Sequence, residues 1–118
     1  MFAFGSIILA RFPFTDLSGD KRRPALVVSS DNNRRPDLIV CFITSVLRSG
    51  PDMAPIASGP ETGLKVPSVV RFDKIATLDR SVIAGKLGHA PATWLAAHQA
   101  GFFNVFGFGQ PSLPNPVP

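Results

Sequence analysis

Apolar residues fall along this chain in short runs, each stopped by proline, glycine or a polar cluster. Ile7 to Phe12 is apolar and β-branched at its start, and Pro13 closes it, so it reads as a strand. Ala25 to Ser29 and Leu38 to Thr44 are near-continuous apolar runs, the pattern of strands buried on both faces. Leu17-Ser18-Gly19-Asp20 predicts a turn, and Asp31 to Asp37 predicts a connection. Residues 47 to 67 hold four prolines and three glycines with little periodicity, which predicts one long loop. Ser68 to Phe72 and Lys74 to Leu78 predict two further strands, and Val82 to Leu87 the last. Five or six short strands separated by frequent turns point to a small β-barrel or sandwich.

The end of the chain differs in kind. After Lys86 no Asp, Glu, Lys or Arg occurs through Pro118. Ala90-Pro91-Ala92-Thr93-Trp94 predicts a helix start, and Trp94, Leu95, His98, Phe102, Val105 and Phe106 fall on one helical face despite Gly101. A helix without charge on any face is poorly solvated alone, so it is expected to pack on the barrel or on a second subunit. Gly107 to Pro118, with four prolines and two glycines, reads as a loose tail after a single domain at 1–106.

A length of 118 residues with 45% hydrophobic side chains suits one folded domain and argues against wholesale disorder. Twelve basic against eight acidic residues give a net charge of +4 and a pI near 10.0, a balance that suits an anionic partner such as RNA. The single cysteine, Cys41, rules out an internal disulfide and a cysteine-based zinc site, and its apolar run marks it as core. The N-terminus has no secretory pattern, and no apolar run approaches the ~18 residues of a membrane span, so a cytoplasmic address is expected.

No His-Glu-x-x-His, phosphate-loop or Gly-x-Ser-x-Gly pattern occurs. His89 and His98 both lie in the charge-free segment, and Asp16, Asp20, Asp73 and Asp79 are scattered as in turns. No metal or cofactor is expected. What remains is arginine and hydroxyl. Lys21-Arg22-Arg23 runs directly into a buried-type strand, and a second such strand ends in Thr44-Ser45. Arg presents a fixed fork of donors matched to phosphate oxygens, so Arg23 and Thr44 are a candidate phosphate grip. RNA carries its own nucleophile in the 2′-hydroxyl, so such a grip suits metal-free cleavage. A plainer reading stays open, in which these are solvated strand ends and Phe12 and Phe14 are packing residues; Lys65, Arg71 and Lys74 could extend a basic track, although alternating strand residues face either side.

Several motifs in order over Gly5 to Gly88 resemble the MazF/PemK family of toxins from bacterial toxin–antitoxin pairs. They are Gly5-Ser6-Ile7-Ile8-Leu9, Phe12-Pro13-Phe14-Thr15-Asp16, Arg23-Pro24-Ala25-Leu26-Val27-Val28, Ile43-Thr44-Ser45, and Val70 to Ile75 followed by Thr77-Leu78-Asp79. The resemblance implies an SH3-like β-barrel with a C-terminal helix, a homodimer, and metal-independent cleavage of single-stranded RNA to 2′,3′-cyclic phosphate and 5′-hydroxyl ends. It makes Arg23 and Thr44 catalytic. It places Phe14, Thr15, Asp16, Lys21, Arg22, Ser45 and Lys74 at the substrate, and adds a cognate antitoxin that competes for the same groove. Ser6 stands where members usually carry an acid, and Val46 where many carry glutamine. The same barrel also serves CcdB-like toxins that bind DNA gyrase without catalysis, and a decayed homologue that binds only antitoxin or RNA is a third reading.

Overall fold

The computed structural model describes residues 2–11, 22–30 and 35–109. Six strands form one antiparallel sheet: β1 (Ser6–Arg11), β2 (Arg22–Val27), β3 (Asp37–Thr44), β4 (Met53–Ile56), β5 (Ser68–Asp79) and β6 (Ile83–His89). Their spatial order is β4-β5-β3-β2-β1-β6. A single 3-10 turn, Arg80–Val82, leads into β6, and the helix α1 spans Ala92–Phe103. A second 3-10 turn, Gly107–Gly109, ends the described chain.

Two departures from the sequence pattern concern β4 and β5. Residues 47 to 67 are not one loop, because Met53–Ile56 pairs with Ser68–Arg71 at the sheet edge. Ala54 and Ile56 alternate inward, and an edge position tolerates Pro55, whose missing N–H would break a central ladder. The two strands expected on either side of Asp73 are one long strand. β5 pairs with β3 from Asp37↔Asp79 to Thr44↔Val69, with an irregularity between Cys41 and Ile43 that bends it.

The sheet is buried on both faces along its centre, as the continuous apolar runs require. One cluster joins Ile7, Leu26, Cys41, Ile43, Ala54, Ile56, Val70 and Phe72, with Trp94, Leu95 and Phe102 of α1 packed on it. The other joins Ile8, Ala10, Ala25, Val27, Leu38, Val40 and Leu78, with Phe2, Phe42, Val82 and Ile83 beside it. Alternate residues face opposite clusters along β1 to β3, and the parity switches at the irregularities of β5 and of β6.

α1 docks through aromatic contacts. The Phe72 ring lies 6.3 Å from Trp94 and meets Phe102 edge-on at 5.9 Å. The Trp94 indole donates a hydrogen bond of 2.7 Å to the Pro55 carbonyl, satisfying an acceptor on the edge strand. Gly101 sits beside the Phe72 ring, where a Cβ would make an ordinary contact at 3.4 Å.

The barrel does not close strand to strand, since β4 and β6 are the sheet's two edges. A loop covers the seam instead. His89 donates from its backbone to the Glu61 carbonyl at 2.8 Å. Gly63 and Gly88 let the two backbones touch: a Cβ on Gly88 would lie 2.3 Å from the Glu61 carbonyl oxygen, and one on Gly63 would lie 2.0 Å from that of Leu87. Thr62, almost fully buried, ties the loop by donating to the Ala57 carbonyl at 2.8 Å.

Candidate active site

β2 passes from solvent into the core within a few residues. Arg22 and Arg23 are exposed, whereas Ala25, Leu26 and Val27 are buried. A strand anchored this firmly holds the backbone of Arg23 in place and leaves its guanidinium in water. β2 pairs with β3 through Ala25↔Phe42, Leu26↔Cys41 and Val27↔Val40. The same register carried two residues outward sets Arg23 directly opposite Thr44. Cross-strand neighbours of this kind bring their Cβ atoms to about 4.5–5.5 Å, close enough for two side chains to share one phosphate. On its other side Arg23 faces Ala10 of β1, a small neighbour that leaves the long side chain room to move.

Thr44 is half-buried at the last position of β3. Its Oγ1 accepts a hydrogen bond of 3.1 Å from the Val46 backbone N–H, which folds the chain back at Ser45. With that lone pair engaged, the hydroxyl proton is left to donate outward, the role a phosphate oxygen needs. Ser45 is exposed one residue further on.

Strand alternation sorts the other candidates. Lys74 is exposed at the irregularity of β5, and counted from Ala76 and Leu78 beyond it lies on the face of Arg23 and Thr44. Arg22 falls on the opposite face and stands across from Arg11. Among the described residues neither arginine has an ion-pair partner. Arg11 gives no signal in the sequence beyond a charge at the end of an apolar run; only the register shows it facing Arg22. Phe14, Thr15, Asp16 and Lys21 lie outside the described residues.

Several groups are committed elsewhere. Arg71 does not join a free basic track, because it binds Asp73 through two hydrogen bonds of 2.9 and 2.7 Å. That contact holds the Asp73 carboxyl below its ordinary range. His89 lies between the Ala90 and Phe4 carbonyls at 2.7 and 3.2 Å, and His98 packs on the Trp94 ring at 4.6 Å. Burial, and then the charge of Asp73, push the Cys41 thiol up to about 12, so it is no nucleophile at neutral pH. Among the described residues no cluster of His, Cys, Asp or Glu could hold a metal ion. No described helix is long and apolar enough to cross a membrane.

The chain is a small antiparallel barrel with a capping helix, carrying an arginine and a threonine at the ends of adjacent strands. The family comparison gives that class its name. Residues 3–105 match the PemK-like, MazF-like toxin of type II toxin–antitoxin systems, and the chain belongs to this family. No curated relative matches the chain. Among solved structures it resembles an endoribonuclease in complex with its cognate antitoxin from a Mycobacterial species, at 19% identity and a TM-score of 0.77, over 94% of this chain and 100% of that one. It also resembles the Mycobacterium tuberculosis toxin MazF-mt6, at 22% identity and a TM-score of 0.70, over 85% of this chain and 94% of that one. MazF from Deinococcus radiodurans matches at 28% identity and a TM-score of 0.70, over 92% of this chain and 97% of that one.

Proposed function

We propose that this chain is the toxin of a toxin–antitoxin pair and cleaves single-stranded RNA without a metal, in the cytoplasm, as a homodimer that a cognate antitoxin silences. The reading rests on Arg23 and Thr44 at the ends of adjacent strands, which face each other when the Ala25↔Phe42 register is carried two residues outward. Membership of the toxin family supports it, as does the likeness to chains that are themselves endoribonucleases or are bound to an antitoxin.

The chemistry follows from the two side chains. The 2′-oxygen of RNA attacks the adjacent phosphorus, the bond to the 5′-oxygen breaks, and a 2′,3′-cyclic phosphate and a 5′-hydroxyl remain. The 2′-hydroxyl loses its proton and the leaving 5′-oxygen gains one. Negative charge grows on the non-bridging oxygens as the bond to phosphorus forms. The Arg23 guanidinium, charged at any working pH, stabilises that charge, and the Thr44 hydroxyl donates to a second oxygen. Fixing the phosphate against the 2′-oxygen in line with the leaving group supplies the rest of the acceleration. Ser45 and Lys74 contact the flanking backbone.

The test is incubation of the purified protein with long single-stranded RNA in EDTA, with the cut ends mapped chemically. Discrete cuts bearing cyclic phosphate, absent with Arg23→Ala, are expected. Folded protein that leaves several RNAs intact would overturn the reading and direct attention to gyrase binding.

A further inference from the structure

The face that carries Arg23 and Thr44 holds a third cation that the sequence does not single out. β1 joins β2 and β6, and its Ile8 stands opposite both Ala25 and Lys86. Directly opposed residues share a face, so Lys86 lies on the side of Ala25 and hence of Arg23, two positions along β2. Lys86 is exposed and has no ion-pair partner among the described residues. The strand order then places two lysines symmetrically about the arginine. Lys74 on β5 is two strands from β2 on one side, and Lys86 on β6 is two strands from it on the other.

Among the described residues the strand carboxylates near this face are all engaged. By the same alternation Asp37 and Asp79 turn to the opposite face, whereas Asp73, counted from Val69 opposite Thr44, lies on the Thr44 side beside the irregularity of β5. Asp73 is bound to Arg71, Asp37 to Arg35, and Asp79 accepts from the Ser81 backbone. In a flat sheet, two strand spacings and one two-residue step separate Lys86 from Arg23 by roughly 12 Å. Two long side chains shorten that span to the distance between nearby phosphates on one strand.

We propose that Lys86 is an RNA-binding residue that holds a backbone phosphate flanking the scissile one, so that the substrate crosses the strands from Lys74 past Arg23 to Lys86. This rests on the ribonuclease reading and adds a direction and a length to the substrate path. Lys86 touches no reacting atom, so its loss weakens substrate binding and spares the chemical step.

The probe is a randomised 12-nucleotide 2′-O-methyl RNA, which lacks the nucleophile and reports binding alone. Its affinity is measured by fluorescence anisotropy across a salt series for wild type, Lys86→Ala and Lys65→Ala. Lys65 follows Leu64 of the α1-side cluster and serves as the control for net charge. Loss of one phosphate contact to a single strand reduces the slope of log affinity against log salt by about 0.7. That change is expected for Lys86→Ala and not for Lys65→Ala. Cleavage of ordinary RNA by Lys86→Ala should show a raised KM with kcat within about twofold of wild type. An unchanged slope for Lys86→Ala, or an equal drop for Lys65→Ala, overturns the Lys86 assignment while the ribonuclease reading stands. Wild type that neither binds nor cuts RNA overturns both.

Discussion

At the scale of single residues, the end of β2 is a concentration of positive charge that contributes nothing to stability. Arg11 and Arg22 face each other across the strands without a described counter-ion. Like charges directly opposite are destabilising, so Arg22→Glu should raise stability by a few tenths of a kcal/mol, measured by urea unfolding. Cys41 gives a second test. Its thiol is raised from 9.0 to about 12 in the folded protein, so between those values the unfolded chain loses a proton that the native one keeps. Stability is then complete below pH 9 and falls as pH rises through this window, by about 1.4 kcal/mol per unit. Unfolding midpoints at pH 8.5 and pH 10 should show the loss in wild type and a smaller one in Cys41→Ala. The burial of Cys41 was legible from its apolar neighbours. Arg23 and Thr44 were legible as a possible phosphate grip from their places at two strand ends, but not that they stand across from each other, because register depends on how β2 and β3 align in space.

At the scale of elements, the strands that the pattern revealed are β1, β2 and β3, through their long apolar runs, and β6. β4 escaped because it is four residues long and contains Pro55, and both features suit an edge while looking like loop. β5 read as two strands because exposed Asp73 and Lys74 interrupt its apolar pattern where the strand bends. The helix was legible from its aromatic spacing, and its docking rests on Trp94. Replacing Trp94 with Ala removes the Phe72 contact and the bond to Pro55, and should destabilise by about 3 kcal/mol. Trp94→Phe keeps most of the packing and should lose about 1 kcal/mol, isolating the hydrogen bond. Equal melting temperatures for Trp94→Ala and wild type would show that α1 is not part of the core. The seam makes a separate demand. Gly88→Ala forces its Cβ onto the 61–62 backbone and should lower the midpoint more than Gly85→Ala, where a Cβ meets nothing within 4 Å.

At the scale of the molecule, the fold divides labour between its faces. One carries α1 and the larger aromatic cluster; the other gathers Arg23, Thr44, Lys74 and Lys86 around a mainly aliphatic core. Sequence composition hinted at an anionic partner through a net charge of only +4, a weak signal because opposite charges elsewhere dilute it. Alternation concentrates the effective charge by sending Asp37 and Asp79 to the other face, while Arg71 engages Asp73. The central claim is that Arg23 and Thr44 act together on one phosphate. Single-turnover cleavage of one mapped RNA by wild type, Arg23→Ala, Thr44→Val and the double variant tests it most directly. If both side chains serve the same phosphate, each single change should slow cleavage by at least a hundredfold, and the double variant should be little worse than Arg23→Ala. Cleavage retained by Arg23→Ala, or losses that simply multiply in the double variant, would contradict the claim.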